Sequence, residues 1–250
     1  MRQIVVTGGT GTLGRVVVGR LVARGCPVRV VSRQAHTPGE HGWAVADLVT
    51  GRGVEAAVAG ATTVVHCATT SGKRDVDATR RLVAAAREAG VTHLVYVSIV
   101  GVDTVPLGYY RAKAECERLI AASGLGWTVL RATQFHDLLV RMLDGLSKAP
   151  VLLLPRGVAF QPVDVRDVAE RLADLAEGGP AGRVADFGGP QVRAVEALAA
   201  EFLHARGRRR PVLRVPTPGG AMKALRAGGN LAPEHADGRI TFAEYLAERY

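Results

Sequence analysis

Ile4-Val-Val-Thr-Gly-Gly-Thr-Gly-Thr-Leu-Gly14 is the stretch that decides the fold. Ile4 to Val6 are three β-branched residues in a row, as in a strand buried on both faces. A glycine-spaced turn follows, Gly8-x-x-Gly11-x-x-Gly14, and Leu13 to Val22 is apolar enough to open a helix. Strand, tight turn and helix start together make a phosphate site. Glycine lets the backbone approach an anion, and the helix N-terminus points free N–H groups at it. The spacing is not the G-x-G-x-x-G of most dinucleotide folds. The pattern by itself would also suit a βα turn that needs glycine for geometry alone. In its strand–turn–helix setting it predicts a dinucleotide turn made by Gly8, Thr10, Gly11, Thr12, Leu13 and Gly14.

Outward from this turn, short apolar runs alternate with helical patterns. Strands are expected over residues 3–8, 28–32, 43–46, 63–67, 93–98 and 127–131. Helices are expected over 13–24, 54–59, 74–89 and 109–122. Repeating βα units of this size give an α/β fold, a Rossmann-type doubly wound parallel sheet. After about residue 132 the alternation loosens. The chain is read as a single NAD(P)-binding domain over residues 1–250, with 1–132 as the core nucleotide-binding part. Residues 133–250 are expected to complete the sheet and form a small C-terminal substrate lobe at its carboxyl edge. Thr241-Phe-Ala-Glu244 has the form of a capping box, and Asp164 is placed to cap a helix over 165–176.

The bulk numbers narrow the class. With 250 residues and 48% apolar side chains, the chain can bury a sizeable core. It has no apolar run of membrane-spanning length and no signal-peptide pattern, so a soluble cytoplasmic protein is expected. Cys26, Cys67 and Cys116 are widely spaced and odd in number, which points to free thiols and no metal site. The net charge of +9 raises the question of nucleic acid, but the one dense basic cluster is Arg206–Arg210. Only 5% of residues are aromatic, so stacking platforms are few. The expected partner is a small-molecule substrate, with no membrane and no nucleic acid, on a monomer or homodimer. Among 28 arginines there are four lysines, Lys73, Lys113, Lys148 and Lys223. A lysine in a motif position therefore draws notice.

The end of the second strand selects the cofactor. An acid there would accept from a ribose 2′-hydroxyl, but this chain has Ser32-Arg33. A guanidinium pairs bidentately with a 2′-phosphate and a hydroxyl adds a donor, so NADP(H) is expected over NAD(H). Asp47-Leu48 follows the third strand. It suits an adenine amino group and ring, and Asp47 suits a plain turn equally well. Ala68-Thr69-Thr70 is small enough to let a cofactor lie across the sheet edge.

With TGGTGTLG, SR, ADL, HCATT, VYVSIVG and YYRAK in this order, the chain resembles the short-chain dehydrogenase/reductase superfamily. More closely, it is similar to the atypical NmrA-like branch that includes NADPH-dependent quinone reductases. FQPVDVRDVA (160–169) and DFGGP (186–190) extend the resemblance into the C-terminal half.

The resemblance implies that Ser98 and a Tyr-x-x-x-Lys pair, Tyr109 and Lys113, carry catalysis. At i, i+4 that pair shares one helix face. The lysine would hold the nicotinamide ribose, and its charge would favour release of the phenol's proton to a carbonyl oxygen. Tyr110 is near enough in sequence to be the real partner of Lys113. The resemblance also places Gln134, Phe135 and His136 beside substrate, with His136 as an alternative acid; Thr133 capping a helix is the competing reading. His66 and His93 read as structural. The implied activity is NADPH-dependent reduction of a small carbonyl, enone or quinone-like compound. The alternatives are a non-catalytic NADP(H) sensor or, behind it, a non-redox isomerase or cyclase that retains the nucleotide.

Overall fold

The computed structural model describes residues 3–37, 39–70 and 72–250; Met1 and Arg2, ahead of the first strand, lie outside them. The chain divides into two compact units. One comprises Met1–Ser98, Gly108–Arg131 and Val168–Ala185, the other Ile99–Leu107, Ala132–Asp167 and Asp186–Tyr250.

The first unit is built on β1 (Ile4–Thr7), α1 (Thr12–Ala23), β2 (Val28–Ser32), β3 (Gly42–Val45), α2 (Val54–Val58), β4 (Thr63–His66) and α3 (Lys73–Glu88). It continues with β5 (His93–Ile99), α4 (Gly108–Ala121) and β6 (Gly126–Ala132). Later in the chain come α5 (His136–Leu146), β7 (Leu152–Pro155), β8 (Ala159–Phe160), α6 (Val165–Glu177) and β9 (Gly182–Arg183). The strand order is β3-β2-β1-β4-β5-β6-β9. β1 lies parallel to both β2 and β4, with Val6 opposite Val30 on one side and Val65 on the other. This is the doubly wound sheet expected from the alternation. All four residues of β1 and of β4 are buried, because helices cover both faces.

On one face, α2, α3 and α4 pack a core of Val5, Val31, Val64, Leu82, Leu94, Tyr96 and Ile120. On the other, α1 buries Val17, Val18 and Leu21. There Arg24 ties the end of α1 to Glu170, Asp174 and Glu177 of α6. Gly182–Arg183 pairs with Thr128–Val129, and Phe187 makes an isolated bridge to Ala132.

The second unit adds β10 (Arg193–Ala194), α7 (Val195–Ala205), β11 (Val212–Val215), α8 (Gly220–Arg226) and α9 (Phe242–Arg249). β7 runs parallel to β11, and β8 antiparallel to β10. Leu139, Leu143, Leu152, Leu154, Leu198, Phe202, Phe242 and Leu246 make its core. The capping box forms as its sequence predicts. Thr241 Oγ1 accepts from the Glu244 N–H, and the Glu244 carboxylate accepts from the Thr241 N–H at 2.8 Å. Asp164 caps α6 by accepting the Arg166 N–H at 2.8 Å. Asp167 accepts from the backbone of Arg239 and Ile240 and so docks the returning chain.

The two C-terminal motifs meet at one buried amide. Gln161 Nε2 donates to Gly189 O (2.9 Å) and Ala232 O (3.1 Å), and its Oε1 accepts from Ala232 N (2.8 Å). A methyl group on Gly189 would sit 1.7 Å from the Pro162 carbonyl, so only glycine permits this approach. Thr133 joins the same knot by donating to Gln161 O instead of capping α5, whose N-cap is Phe135. Of the arginine cluster, Arg206 and Arg208 turn to Asp144 within this unit.

Candidate functional site

The site is assembled in the first unit at the carboxyl ends of β1, β2, β4 and β5. The turn after β1 is tight. Gly8 has φ +67°, and a methyl on Gly14 would lie 2.1 Å from Gly8 O. Gly8 is pressed on the far side by Ala68, whose backbone would lie 2.6 Å from a Gly8 methyl. The first and fourth strands' loops are therefore in contact, and both need small residues. Thr10 and Gly11 are exposed and Thr12 half-buried, while Leu13 turns inward at 6% exposure. Gly11 is the N-cap of α1 and offers no side chain to its first N–H groups. An uncapped twelve-residue helix opening on an exposed glycine leaves those donors for an anion.

At the end of β2, Ser32 is buried and Arg33 exposed. Asp47 forms a turn, its carboxylate accepting the Val49 N–H at 2.9 Å. That bond, with Thr50 and the charge of Arg33, holds the carboxyl below its usual range against the opposing effect of burial. Leu48 departs from expectation: at 8% exposure it packs in the core with Val31 and Val54, so its side chain belongs to the fold. The loop after β4 is organised by Asp75, which the sequence reading passed over. Asp75 is 4% exposed and accepts from Thr69 Oγ1 (2.6 Å), Thr70 Oγ1 (2.7 Å) and the Thr70 N–H. The signal was present as two threonines shortly before an acid in the first turn of a helix.

Lys113 lies at the centre of the site. α4 places Ala112, Lys113, Cys116 and Ile120 on its buried face. Lys113 is 4% exposed, its Nζ donates to Val97 O at 3.2 Å, and it lies 4.7 Å from the centroid of the Tyr96 ring and 5.9 Å from that of Tyr109. Among the described residues no carboxylate comes within ion-pair distance of it. A buried ammonium with one carbonyl acceptor keeps donors to spare. Ser98, the residue after Val97, has a buried Oγ with no hydrogen-bond partner. An orphaned hydroxyl and an under-used ammonium at the end of one strand fit a polar ligand such as a ribose. Tyr109 packs edge-on against Tyr110, with ring centroids 6.4 Å apart. The structure thus brings Ser98, Tyr109 and Lys113 into one neighbourhood and adds Tyr96.

Beneath Lys113 runs a buried polar chain. His66 Nδ1 pairs with Thr7 Oγ1 at 2.7 Å, His66 Nε2 with Thr79 Oγ1 at 3.2 Å, and Thr79 Oγ1 donates to Cys116 Sγ at 3.3 Å. Because the Thr79 proton goes to sulfur, His66 is the Nε2–H tautomer and accepts from Thr7 at Nδ1. Burial, with the charge of Lys113 adding to it, pushes His66 down to about 3. His93 Nε2 pairs with Thr128 Oγ1 at 2.8 Å. Both histidines are structural, as read from their strand positions.

Gln134, Phe135 and His136 belong to the second unit. His136 corrects the expectation of a substrate-facing acid. It is 0% exposed, Nε2 lies 3.0 Å from Ile240 O, and the ring packs against Phe242 and Tyr245. Burial lowers its pKa, so it is a neutral core histidine. Gln134 is half-buried, and its amide donates to Asn230 O at 3.0 Å, which ties it to the fold of that unit. Phe135 is half-buried at the start of α5 and bridges Val163. The histidine sits where a helix begins, a position that from sequence reads the same whether the ring turns in or out.

Among the described residues no helix is long and apolar enough to cross a membrane, and no three His, Cys, Asp or Glu side chains are grouped to hold a metal. The model of the NAD(P)H-binding family matches residues 8–176. The chain is 32% identical over 212 residues to a (4-alkanoyl-5-oxo-2,5-dihydrofuran-3-yl)methyl phosphate reductase of Streptomyces griseus, a match covering 82% of this chain and 74% of the relative. It is 28% identical over 223 residues to quinone oxidoreductase 2 of Escherichia coli, covering 82% and 75%. Among solved structures, an Escherichia coli NADPH-dependent quinone oxidoreductase complexed with NADPH superposes with a TM-score of 0.81 at 21% identity, over 98% of this chain and 99% of that one. A nucleoside-diphosphate-sugar epimerase from Staphylococcus aureus gives 0.80 at 21% identity, over the same shares. With its glycine turn, its doubly wound sheet and these relatives, the chain belongs to the NAD(P)H-binding reductase family.

Proposed function

We propose that the protein is an NADPH-dependent reductase of a small carbonyl, enone or quinone-like compound. The observation that carries this reading is a buried, carboxylate-free Lys113 bonded to Val97 O, next in sequence to the orphaned Ser98 hydroxyl, and near the Tyr109 ring. The cofactor, when bound, supplies a hydride from C4 of its nicotinamide. Lys113 would donate to the ribose hydroxyls at the end of β5. Ser98 would donate to the substrate oxygen and orient it, and Tyr109 would give its proton to that oxygen, so that with the hydride a carbonyl would become an alcohol. The N-terminus of α1 would hold the diphosphate, and Ser32 and Arg33 the 2′-phosphate.

The test is NADPH consumption at 340 nm with a panel of quinones, enones, aldehydes and ketones. Turnover of at least one class, lost about a hundredfold or more in Lys113→Met and Tyr109→Phe, is expected. Tight NADPH binding without oxidation across the panel would overturn the reductase reading and favour a nucleotide sensor. Turnover that survives Tyr109→Phe would move the proton donor elsewhere.

A further inference from the structure

The loop after β2 folds back on the strand it leaves. His36 returns to Ser32, with Nε2 2.9 Å from Ser32 Oγ. The same oxygen accepts the Gln34 N–H at 3.1 Å. The imidazole is not loose: it stacks on Trp43 of β3, ring centroids 4.0 Å apart and planes 17° from parallel. His41 lies against the same indole at 4.9 Å. His36 and Arg33 are exposed, whereas Ser32 is 8% exposed.

A serine hydroxyl has two acceptor lobes and one proton. Gln34 fills one lobe. If His36 presents Nε2–H it fills the other, and the hydroxyl proton is then the one valence left to offer. An anion at the end of β2 meets that proton and the Arg33 guanidinium together. If His36 instead accepted at Nε2, it would consume the proton, and Ser32 would offer an anion nothing. An anion therefore selects the donor form of His36.

From this we infer that His36 is a specificity-determining residue for the nucleotide's 2′-phosphate, which it serves by directing the Ser32 hydroxyl outward beside Arg33. The inference deepens the assignment of NADPH and rests on it. Trp43 serves as the platform that keeps the ring in register, a role that β3 allows because Trp43 pairs with Val30 beside the strand end.

The test separates the phosphate from the rest of the cofactor. Adenosine 2′,5′-bisphosphate and 5′-AMP are titrated calorimetrically into the purified protein, so no turnover is involved. The wild type should prefer the bisphosphate by tenfold or more, and Arg33→Ala should remove most of that preference. His36→Ala should weaken the bisphosphate roughly five- to tenfold while leaving 5′-AMP within about twofold. Ser32→Ala should cost a similar factor, and the double variant little more than either single, because both act through one hydroxyl. His36→Gln, which restores an amide donor, should recover part of the loss. Circular dichroism and thermal unfolding should be unchanged in the His36 variants, since the residue is exposed. A preference that collapses in Arg33→Ala but persists in His36→Ala overturns the role of His36 and leaves NADPH intact. Equal weakening of both ligands in His36→Ala also overturns it. A wild type that binds both ligands alike overturns the NADPH assignment and this inference together.

Discussion

Replacing His66 with glutamine should flatten the acid limb of this protein's stability. His66 is 2% exposed, lies under Lys113, and is held neutral down to about 3 by burial and by the lysine's charge. In the unfolded chain the same imidazole takes a proton near 6.5. Between those values the unfolded state binds a proton that the folded state refuses, so stability is full above 6.5 and falls as the pH drops. The slope is about 1.36 kcal/mol per pH unit. The expected loss from this one residue is about 2 kcal/mol at pH 5 and about 3 kcal/mol at pH 4 relative to neutrality. Glutamine can still bridge Thr7 and Thr79 but cannot titrate. At pH 7.5 the variant should be less stable by about 1–2 kcal/mol, from poorer hydrogen-bond geometry. By pH 5 the difference should vanish or reverse. The assay is urea unfolding at several pH values, followed by the emission of Trp43 and Trp127, both of which lie in the same compact unit as His66. Carboxylates and other histidines titrate in both proteins and cancel in the difference. Lys113→Met should shallow the wild-type slope, because it removes the second cause of the shift. A difference between wild type and His66→Gln that stays constant from pH 7.5 to 4.5 would refute the neutral buried histidine.

Other outcomes follow from single contacts. Gly14→Ala places a methyl 2.1 Å from Gly8 O, against backbone that cannot yield; unfolding should show a loss of about 3 kcal/mol, and NADPH fluorescence titration a loss of binding. Gln161→Leu orphans Gly189 O and Ala232 N and leaves Ala232 O with the His235 N–H alone; the expected cost is about 3 kcal/mol in urea, with no isosteric rescue by Met. Arg24→Ala removes three ion pairs whose acids are 42–50% exposed. Solvent screening limits that loss to about 1 kcal/mol, and it should shrink further in 1 M salt.

Much of the first unit was legible because its signals are local. A strand, a glycine turn and a helix start within eleven residues announce themselves by spacing, and the tight turn formed over the residues that predicted it. The capping box at Thr241 and Glu244 and the Asp164 cap are equally short-range, and both formed. Lys113 stood out by its rarity among arginines. Errors fell where a residue's direction depends on distant chain. Leu48 is one residue from an exposed turn, yet points into a core closed by α2 and α3. His136 begins a helix, and its partners at 240, 242 and 245 are about a hundred residues away. Thr133 has the chemistry of a helix cap but donates to Gln161, because the loops at 161 and 189 close on it.

The sequence by itself determined the class of the fold, the glycine turn and the family, since each rests on patterns whose physics acts between near neighbours. Only the tertiary structure decided what Lys113 touches, which tautomer His66 holds, that Asp75 orders the Thr69–Thr70 loop, and that His36 comes back to Ser32 over Trp43. Hydrogen bonds and desolvation act through space, and side chains dozens of residues apart meet only once the sheet has placed its strand ends side by side.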